Sequence, residues 1–596
     1  MSFEIDFEPI GRRVTCDAGA TLLDAGQRAG VMLTAVCGGE GSCGRCIVRV
    51  MSGQVSPPNR TEEIQLGQVD VAAGWRLACQ TEIASDVRVH VPSDSLVTAQ
   101  RTQTEGASLE VALEPAVRSF DVTLEAPTQH DLRSDAARLR DAVGTRKLDF
   151  DTQVLRRLPD DLRAWDFRAS AYVRGSQVIQ VRPYGKSPLG LAVDIGTTKL
   201  AAYLVDLHSG ETLASAGEMN PQIAYGEDVM ARISHVMSTD DGAEQLRTAI
   251  VQALNQLARQ LCAHARRDVA DIADAVVVGN TAMHHLFLGL PVRQLGLAPY
   301  VAAESAALDV PSRDIGLDLA PGASVHLLPN IAGFVGADHV AMLMATGMPE
   351  REGVVLGMDI GTNTEVSLVA HGRHLSCSTA SGPAFEGAHI RFGMRAAPGA
   401  IEKVSMHDGR IHIKTVEDVP PVGLCGSGIL DLIAQMLRVG IINRRGAMAE
   451  HHRVRRGNHG PEFVLVPGSD NGGTEIVFGR ADIAEIQLAK GAMRAGVNIL
   501  LKHAGLTEAS IDEVIIAGAF GTYLDVQSGI DIGMFPRVDR HRFKQVGNAA
   551  GAGARMALIS TAQRERAVRI ARQIEYVELT AEKEFQSEFA AALLLE

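Results

Sequence analysis

One internal repeat constrains this chain more than any other feature. The segments LAVDIGTTKLAAYLVDLHSGETLASAG and LGMDIGTNTEVSLVAHGRHLSCSTASG align residue for residue, Leu191 on Leu356 and Asp194 on Asp359. Each copy reads as an apolar strand, a tight Gly-Thr turn, a second strand, a Gly-containing turn and a third strand. A unit of this kind repeated once at domain scale predicts two similar lobes. A cleft between them is the expected ligand site.

The residues at the two turns suit a polyphosphate. In VDIGTTK a buried strand ends at Asp194, and Gly196, Thr197 and Thr198 form the turn; MDIGTNTE places Asp359, Gly361, Thr362 and Asn363 equivalently. Glycine lets backbone amides close on a phosphate, hydroxyls add donors, and a carboxylate at the strand end can orient hydrated Mg²⁺ or a water. A single loop of this type is an ordinary strand turn as often as a ligand site. Two copies in matched contexts predict a triphosphate gripped from both lobes. No G-x-G-x-x-G opens a helix after either strand, which argues against a Rossmann site.

Three further segments bear on the same cleft. DEVIIAGAFGTYLD runs an apolar strand into Gly518 and Gly521, where bare backbone can lie along an adenosine. GLCGSGILDLIAQMLRVG places Gly426 and Ser427 at an expected helix start, an anion site that capping alone explains equally well. VVVGNTAMHHLFLGL carries Asn280; His284 and His285 in it read as packing or surface residues, and HHRVRR at 451–456 reads as a solvated loop.

Far upstream, CGGEGSCGRCIVRV spaces Cys37, Cys43 and Cys46 as C-x5-C-x2-C, and Cys79 follows in WRLACQTE. Thiolates are soft, charged donors, and four of them complete the two tetrahedral irons of a [2Fe–2S] cluster. Glycines 38, 39, 41 and 44 suit a loop that must take positive φ and bring N–H groups to the sulfides. Zinc, which favours two paired C-x-x-C knuckles, is the competing reading of a segment with one such pair. Cys16 lies outside the pattern and reads as a buried small apolar residue. Eight cysteines, half of them between Cys37 and Cys79, are too few for a disulfide framework.

Composition excludes other classes. A net charge of −14 argues against nucleic acid or an anionic membrane as partner. No run approaches the 18 apolar residues of a spanning helix, and MSFEIDFEPIGRRVTC lacks a signal-peptide core, so a cytoplasmic location is expected. Character changes along the chain predict a first unit at 1–92, with one helical stretch TLLDAGQRAG, and a polar linker at 93–108. A small α+β unit follows at 109–187, with strand-like runs LEVALEP, DVTLEA and RASAYVRGSQVIQVRP and one helix-like run DLRSDAARLRDAV. An α/β unit fills 188–596. The small unit reads as a spacer or self-association domain.

These motifs support a family resemblance. The first unit, including DAGATLLDAGQRAGVMLTAVCGGEGSCGRCIVRV and LACQ, resembles β-grasp ferredoxins; its five residues between the first two ligands are closer to the vertebrate type than to the plant type, which has four. The two DIGT loops and AGAFG resemble the phosphate 1, phosphate 2 and adenosine motifs of the superfamily of acetate and sugar kinases, heat-shock chaperones and actin. The Asn280 segment and EIQLAKGAMRAGVNILL look like its two connecting segments. In this order, and with NPQIAYGEDVMARI, SGPAFEGAHIRFGMRAAPGAIEKV and GLCGSGILDLI, essentially the whole chain resembles the ATP-dependent reductive activators of corrinoid proteins.

The resemblance implies a multidomain α/β fold. An N-terminal β-grasp [2Fe–2S] ferredoxin domain and a small α+β middle domain precede a C-terminal two-lobed, actin-like (ribonuclease H-like) ATPase domain. It implies an enzyme that passes an electron from the cluster to inactive Co(II) corrinoid, regenerating Co(I) for methyl transfer. A plant-type cluster sits near about −400 mV, and each further 100 mV uphill costs about 2.3 kcal/mol per electron, so ATP would supply the difference. In these terms Cys37, Cys43, Cys46 and Cys79 hold the cluster. Asp194 and Asp359 act around Mg²⁺ and the transferring phosphate. Gly196, Thr197, Thr198, Gly361, Thr362, Asn363, Asn280, Gly426, Ser427, Gly518 and Gly521 contact ATP. The general base stays open among the two aspartates, Glu227, Asp228 and Glu386. Implied partners are a corrinoid protein of a methyltransferase system, a low-potential electron donor and a second copy in a homodimer. Two other readings stay open: an ATP-driven electron-injecting activator of another enzyme, and a ferredoxin-like carrier with a non-hydrolysing nucleotide module.

Overall fold

The computed structural model describes the chain except residues 1, 9–11, 30, 32, 34, 36, 93–94, 96–109, 146, 408, 459, 519–520 and 522–523. Apart from Ser95, the linker expected at 93–108 lies outside the described residues.

The N-terminal domain is a mixed five-stranded sheet ordered Arg12–Asp17, Ser2–Glu8, Val87–His90, Ile47–Ser52, Trp75–Leu77. Alternation along the first strand turns Ile5 and Phe7 into the core, where Val48, Val87 and Val89 meet them. Helix Leu22–Ala29 buries Leu22, Leu23, Ala25 and Gly26 in the same core. This is the β-grasp arrangement. Two short helices that the sequence reading passed over, Arg60–Leu66 and Gln68–Ala72, follow the third strand in sequence. The first of them carries a signal, a capping box in which Asn59 accepts from the Glu62 amide and Glu62 accepts from the Asn59 amide.

Glu62 also anchors the segment leading to Cys79. Its fully buried carboxylate accepts two bonds of 2.9 Å from Arg76, one of 3.0 Å from the Leu77 amide and one of 3.2 Å from Thr81. Burial alone would raise its pKa; the Arg76 and backbone hydrogen bonds overcome that and hold it below the usual carboxylate range. Glu62→Ala strands a buried guanidinium, and breaking such a pair costs about 3–5 kcal/mol. The variant is expected to lower the ferredoxin domain's thermal midpoint. Because the folded pKa is depressed, the wild-type contribution is complete above the unfolded pKa and is lost as pH falls through the folded one. Melting curves across an acid series should therefore converge for variant and wild type only at low pH.

The small domain pairs strands Val117–Thr123, Arg168–Arg174, Gln177–Pro183 and Asp149–Phe150 in that order. Helix Asp135–Val143 is the expected one; helix Thr152–Ala164 was not expected, and its internal Pro159 obscures it in sequence. LEVALEP is no strand of this sheet. Glu114 instead pairs with residues 559–561 of the C-terminal domain, giving and receiving backbone hydrogen bonds of 2.8 and 2.9 Å. Arg174 to Asp274 and Arg313 to Asp151 join the small domain to the first lobe.

The remainder forms two lobes. The first has a six-stranded sheet ordered Thr212–Met219, Lys199–Asp206, Leu189–Ile195, Ile272–Gly279, Ser324–Leu327, Leu308–Pro311. The second is ordered Phe543–Gly547, Glu513–Ala517, Val355–Ile360, Thr364–Ala370, Arg373–Thr379, Glu575–Tyr576. In both, three antiparallel strands are followed by two parallel ones, so the repeat seen in sequence extends over five strands. Residues 451–456 are not a loop throughout: Val454–Gly457 is a strand, and its Arg455 pairs with Glu462 and Glu475. Among the described residues no helix is long and apolar enough to cross a membrane.

Candidate nucleotide cleft and cluster site

The central strand of each lobe is buried on both faces until its penultimate residue, which is the repeated aspartate. Beside Asp194 in the parallel register is Val278, followed by Gly279 and Asn280; beside Asp359 is Ala517, followed by Gly518. The repeat thus brings four strand ends to one place, the carboxyl edge where α/β sheets take ligands. The resulting cleft is lined by Asp194, Gly196, Thr197, Thr198 and Asn280 from one lobe, and by Asp359, Gly361, Thr362, Asn363, Gly426, Ser427 and Gly518 from the other. Gly521 is not part of this lining; a Cβ there would lie 2.7 Å from the Ala517 carbonyl.

The two phosphate-type loops touch. Thr362 donates to Glu386 at 3.0 Å, which spends its hydroxyl proton, so Thr198 is the donor in the 3.1 Å contact between the two threonines. Asn280 caps helix Thr281–Leu288 by accepting from the Met283 amide, and its amide group donates to Thr197 at 2.9 Å. Gly518 takes φ +93°, and a Cβ there would lie 2.4 Å from the Ile360 carbonyl. Only glycine passes this close to the second loop. Gly426 and Ser427 open helix Gly426–Arg438 with its N-terminus toward the cleft, as an anion site requires.

Burial and crowding dominate the electrostatics. Desolvation, and then the neighbouring Asp338, push Asp194 up to about 7, against a hydrogen bond from Asn548 that lowers it. Desolvation, Asp338 and Asp194 push Asp359 up to about 8. Desolvation raises Asp338 to about 6 and, with Asp338 and Asp359, raises Glu365 well above the carboxylate range. Hard oxygen donors gathered this way call for a dication to neutralise them. Among the described residues no three acidic, His or Cys side chains surround one ion position. A Mg²⁺ would therefore be held through one or two carboxylates, waters and the nucleotide's own phosphates, the usual mode for this ion.

Asp338, Glu365 and Lys199 belong to the cleft and were not singled out in the sequence. Glu365 does carry a signal, a charge within a buried strand, and it pairs across the hairpin with Asp359; Lys199 opens its strand directly after the first Gly-Thr turn. Asp338 carries none, because only the packing of helix Ala337–Thr346 brings it there. Among the base candidates, Glu386 lines the cleft. Asp228 caps helix Val229–Ser238, and Glu227 is buried against Arg395 at 3.5 Å. His284 and His285 are buried; His285 donates from Nδ1 to the Thr281 carbonyl at 2.7 Å and accepts from the Ala303 amide.

In the ferredoxin domain the four predicted thiols converge. Cys46 lies 3.3 Å from Cys79, and Cys37 is within hydrogen-bonding reach of Cys43 and Cys79. Four thiols this close together fit a [2Fe–2S] cluster, and Cys37, Cys43, Cys46 and Cys79 would be the residues that hold it. Glycines 38, 39, 41 and 44 all have positive φ, as the loop was expected to need. Cys16 is buried in the domain core, as expected of a small apolar residue.

A ferredoxin domain joined to a two-lobed domain of the acetate kinase, chaperone and actin type defines the class: an iron–sulfur protein with a nucleotide cleft. Family comparisons agree along the chain. Residues 5–84 match the 2Fe-2S iron-sulfur cluster binding domain, 106–187 the RACo linker region, 189–351 the RACo middle region and 353–596 the C-terminal domain of RACo, the ASKHA domain. The corrinoid activation enzyme RamQ of Eubacterium limosum is 32% identical over 572 residues, 93% of each chain. The [Co(II) methylated amine-specific corrinoid protein] reductase of Methanosarcina barkeri is 25% identical over 65% of this chain and 72% of its own. A solved structure, the reductive activator for corrinoid, iron-sulfur protein, superposes with a TM-score of 0.73 at 36% identity, covering 100% of this chain and 98% of that one. The chain belongs to the RACo family of corrinoid-protein activators.

Proposed function

We propose that the chain uses ATP to drive one electron from its [2Fe–2S] cluster onto the Co(II) form of a corrinoid protein, restoring Co(I). The observation that carries this reading is the joint presence, in one chain, of a four-thiol site and an aspartate-lined cleft between two DIGT loops. Four thiols within a single domain also argue against a cluster shared between two subunits.

When bound, the cluster supplies the one-electron couple. The protein's own residues do the rest. Thr197, Thr198 and Thr362 present hydroxyls, and Gly196, Gly361 and Gly518 present bare backbone, where phosphates enter. Asp194 and Asp359, pushed up to about 7 and about 8, would be the carboxylates that hold and orient a Mg²⁺ arriving with the nucleotide, which would favour their ionised forms. Glu386, held by Thr362, is positioned at the cleft to receive a proton from water. Nucleotide turnover can favour reduction only by distinguishing states of the complex with the corrinoid protein. A separate low-potential donor recharges the cluster, two chains associate as a homodimer, and the protein works in the cytoplasm.

An ATPase assay with and without a Co(II) corrinoid protein tests the proposal. The expected result is hydrolysis that rises with the Co(II) partner and parallels loss of the Co(II) signal in electron paramagnetic resonance. Hydrolysis indifferent to the partner, or reduction at the same rate without ATP, would overturn it.

A further inference from the structure

The ferredoxin domain does not hang free of the cleft. Among the described residues, its side-chain hydrogen bonds to the two lobes fall on the segments that brace the two phosphate loops. On the first lobe, Gln27 donates from Nε2 to the Ala224 carbonyl at 2.9 Å, and a Cβ at Gly38 would lie 3.1 Å from the Tyr225 carbonyl. On the second lobe, Arg45 donates from one Nη to the carbonyls of Gly387 and Ile390, at 3.1 and 2.8 Å. Gly38 and Arg45 both belong to the loop from Cys37 to Cys46 that carries three of the four thiols.

Each contact leads inward by one step. The fully buried Arg232 donates from Nε to the Gly226 carbonyl at 2.9 Å and from Nη to the carbonyl of Thr197, in the first phosphate loop. Thr362 of the second loop donates to Glu386, and the next residue, Gly387, receives Arg45. Gly387 is wedged: a Cβ there would lie 2.4 Å from the Met394 amide nitrogen, so its carbonyl cannot shift independently of the turn it closes. Arg395 spans the same mouth, 3.5 Å from Glu227 and 3.9 Å from Glu386.

We propose that Gln27 and Arg45 are positioning residues that latch the cluster loop across the mouth of the cleft, and that the lobe movement accompanying MgATP binding opens the latch. The inference rests on the nucleotide reading given above. Two hydrogen-bond anchors on separate lobes can both be satisfied at only one lobe spacing, because hydrogen bonds weaken steeply with distance and angle. A ligand that changes the spacing breaks one anchor and frees the domain. With the loop that carries three ligand cysteines set against both lobes through Gly38 and Arg45, the corrinoid protein reaches the cluster after release and not before. Nucleotide binding would thereby control electron delivery through access.

Linkage provides the test. If MgATP opens the latch, weakening the latch must tighten nucleotide binding by the same factor. Full-length, cluster-loaded wild type, Gln27→Ala and Arg45→Ala are compared by calorimetric titration with MgAMP-PNP and by hydrogen exchange of residues 22–29 and 221–226. The expected result is faster exchange of both segments in the wild type on adding MgAMP-PNP. The variants should show fast exchange without it and bind it about 5-fold or more tighter, within the usual range of such couplings. Loss of a merely structural contact would weaken nucleotide binding or leave it unchanged, so either result overturns the latch. Gln27→Ala should also leave the cluster's visible spectrum unaltered, which shows that the cluster site is intact. If the wild type binds no MgAMP-PNP, the nucleotide reading itself fails and the latch falls with it. That outcome is distinct from binding without a change in exchange, which removes the latch alone.

Discussion

Asp359→Ala is expected to lower ATP-dependent Co(II) reduction by about 10²–10³-fold, the usual scale for removing a preorganised electrostatic group from a reaction site. The cluster's visible spectrum should not change, because Asp359 lies in the central strand of the second lobe, outside the ferredoxin domain. Instability cannot account for the loss. Asp359 is pushed up to about 8 by burial, Asp338 and Asp194, so its native pKa lies above its unfolded one. The native state then binds more protons than the unfolded state between the two values, and stability falls as pH rises through that window. Removing the group relieves this cost. The variant's thermal midpoint at neutral pH should equal or exceed that of wild type, and its stability should depend less on pH between about 4 and 8. A variant that keeps its ATP-dependent rate would remove Asp359 from the nucleotide chemistry.

Cys79→Ala is the complementary case. Cys79 is the thiol contributed from outside the ligand loop, 3.3 Å from Cys46. Without it, a [2Fe–2S] cluster would be left with three thiolates where its two irons need four. The expected result is loss of cluster absorbance and iron content, with Co(II) reduction reduced to the uncatalysed background. Nucleotide binding should persist, because none of the cleft's lining residues among the described ones belongs to the ferredoxin domain. Retained iron with full activity would show that another ligand completes the cluster. Together the two variants separate the halves of the molecule: one loses ATP dependence and keeps the cluster, the other loses the cluster and keeps ATP.

Much of this was readable from residues alone, for local reasons. Cluster ligation depends on short spacings and on glycines able to take positive φ, so CGGEGSCGRC shows its chemistry without its surroundings. The DIGT loops are legible because they recur, and a repeat of strand, turn and strand specifies the same backbone twice. Misreadings arose where tertiary context overrides local pattern. LEVALEP alternates like a strand, yet its backbone partners are residues 559–561, far away in sequence. Helix Thr152–Ala164 forms despite Pro159 because Val154, Leu158 and Leu162 bury one apolar face. The helices after Asn59 were missed because short helices carry little periodicity, although the capping box of the first is visible once sought.

By itself, then, the sequence determined the class of each domain, the four thiols and the paired aspartates, because these depend on residue type and on short separations along the chain. Tertiary structure alone decided that Asp338 crowds both aspartates. It alone decided that Thr198 reaches Thr362 across the lobes, and that Gln27 and Arg45 set the cluster loop on the two segments bracing the phosphate loops. Each of these is a contact between residues distant in sequence. Their energies come from burial and from hydrogen bonds whose partners no local pattern specifies, so they exist only once the domains have packed.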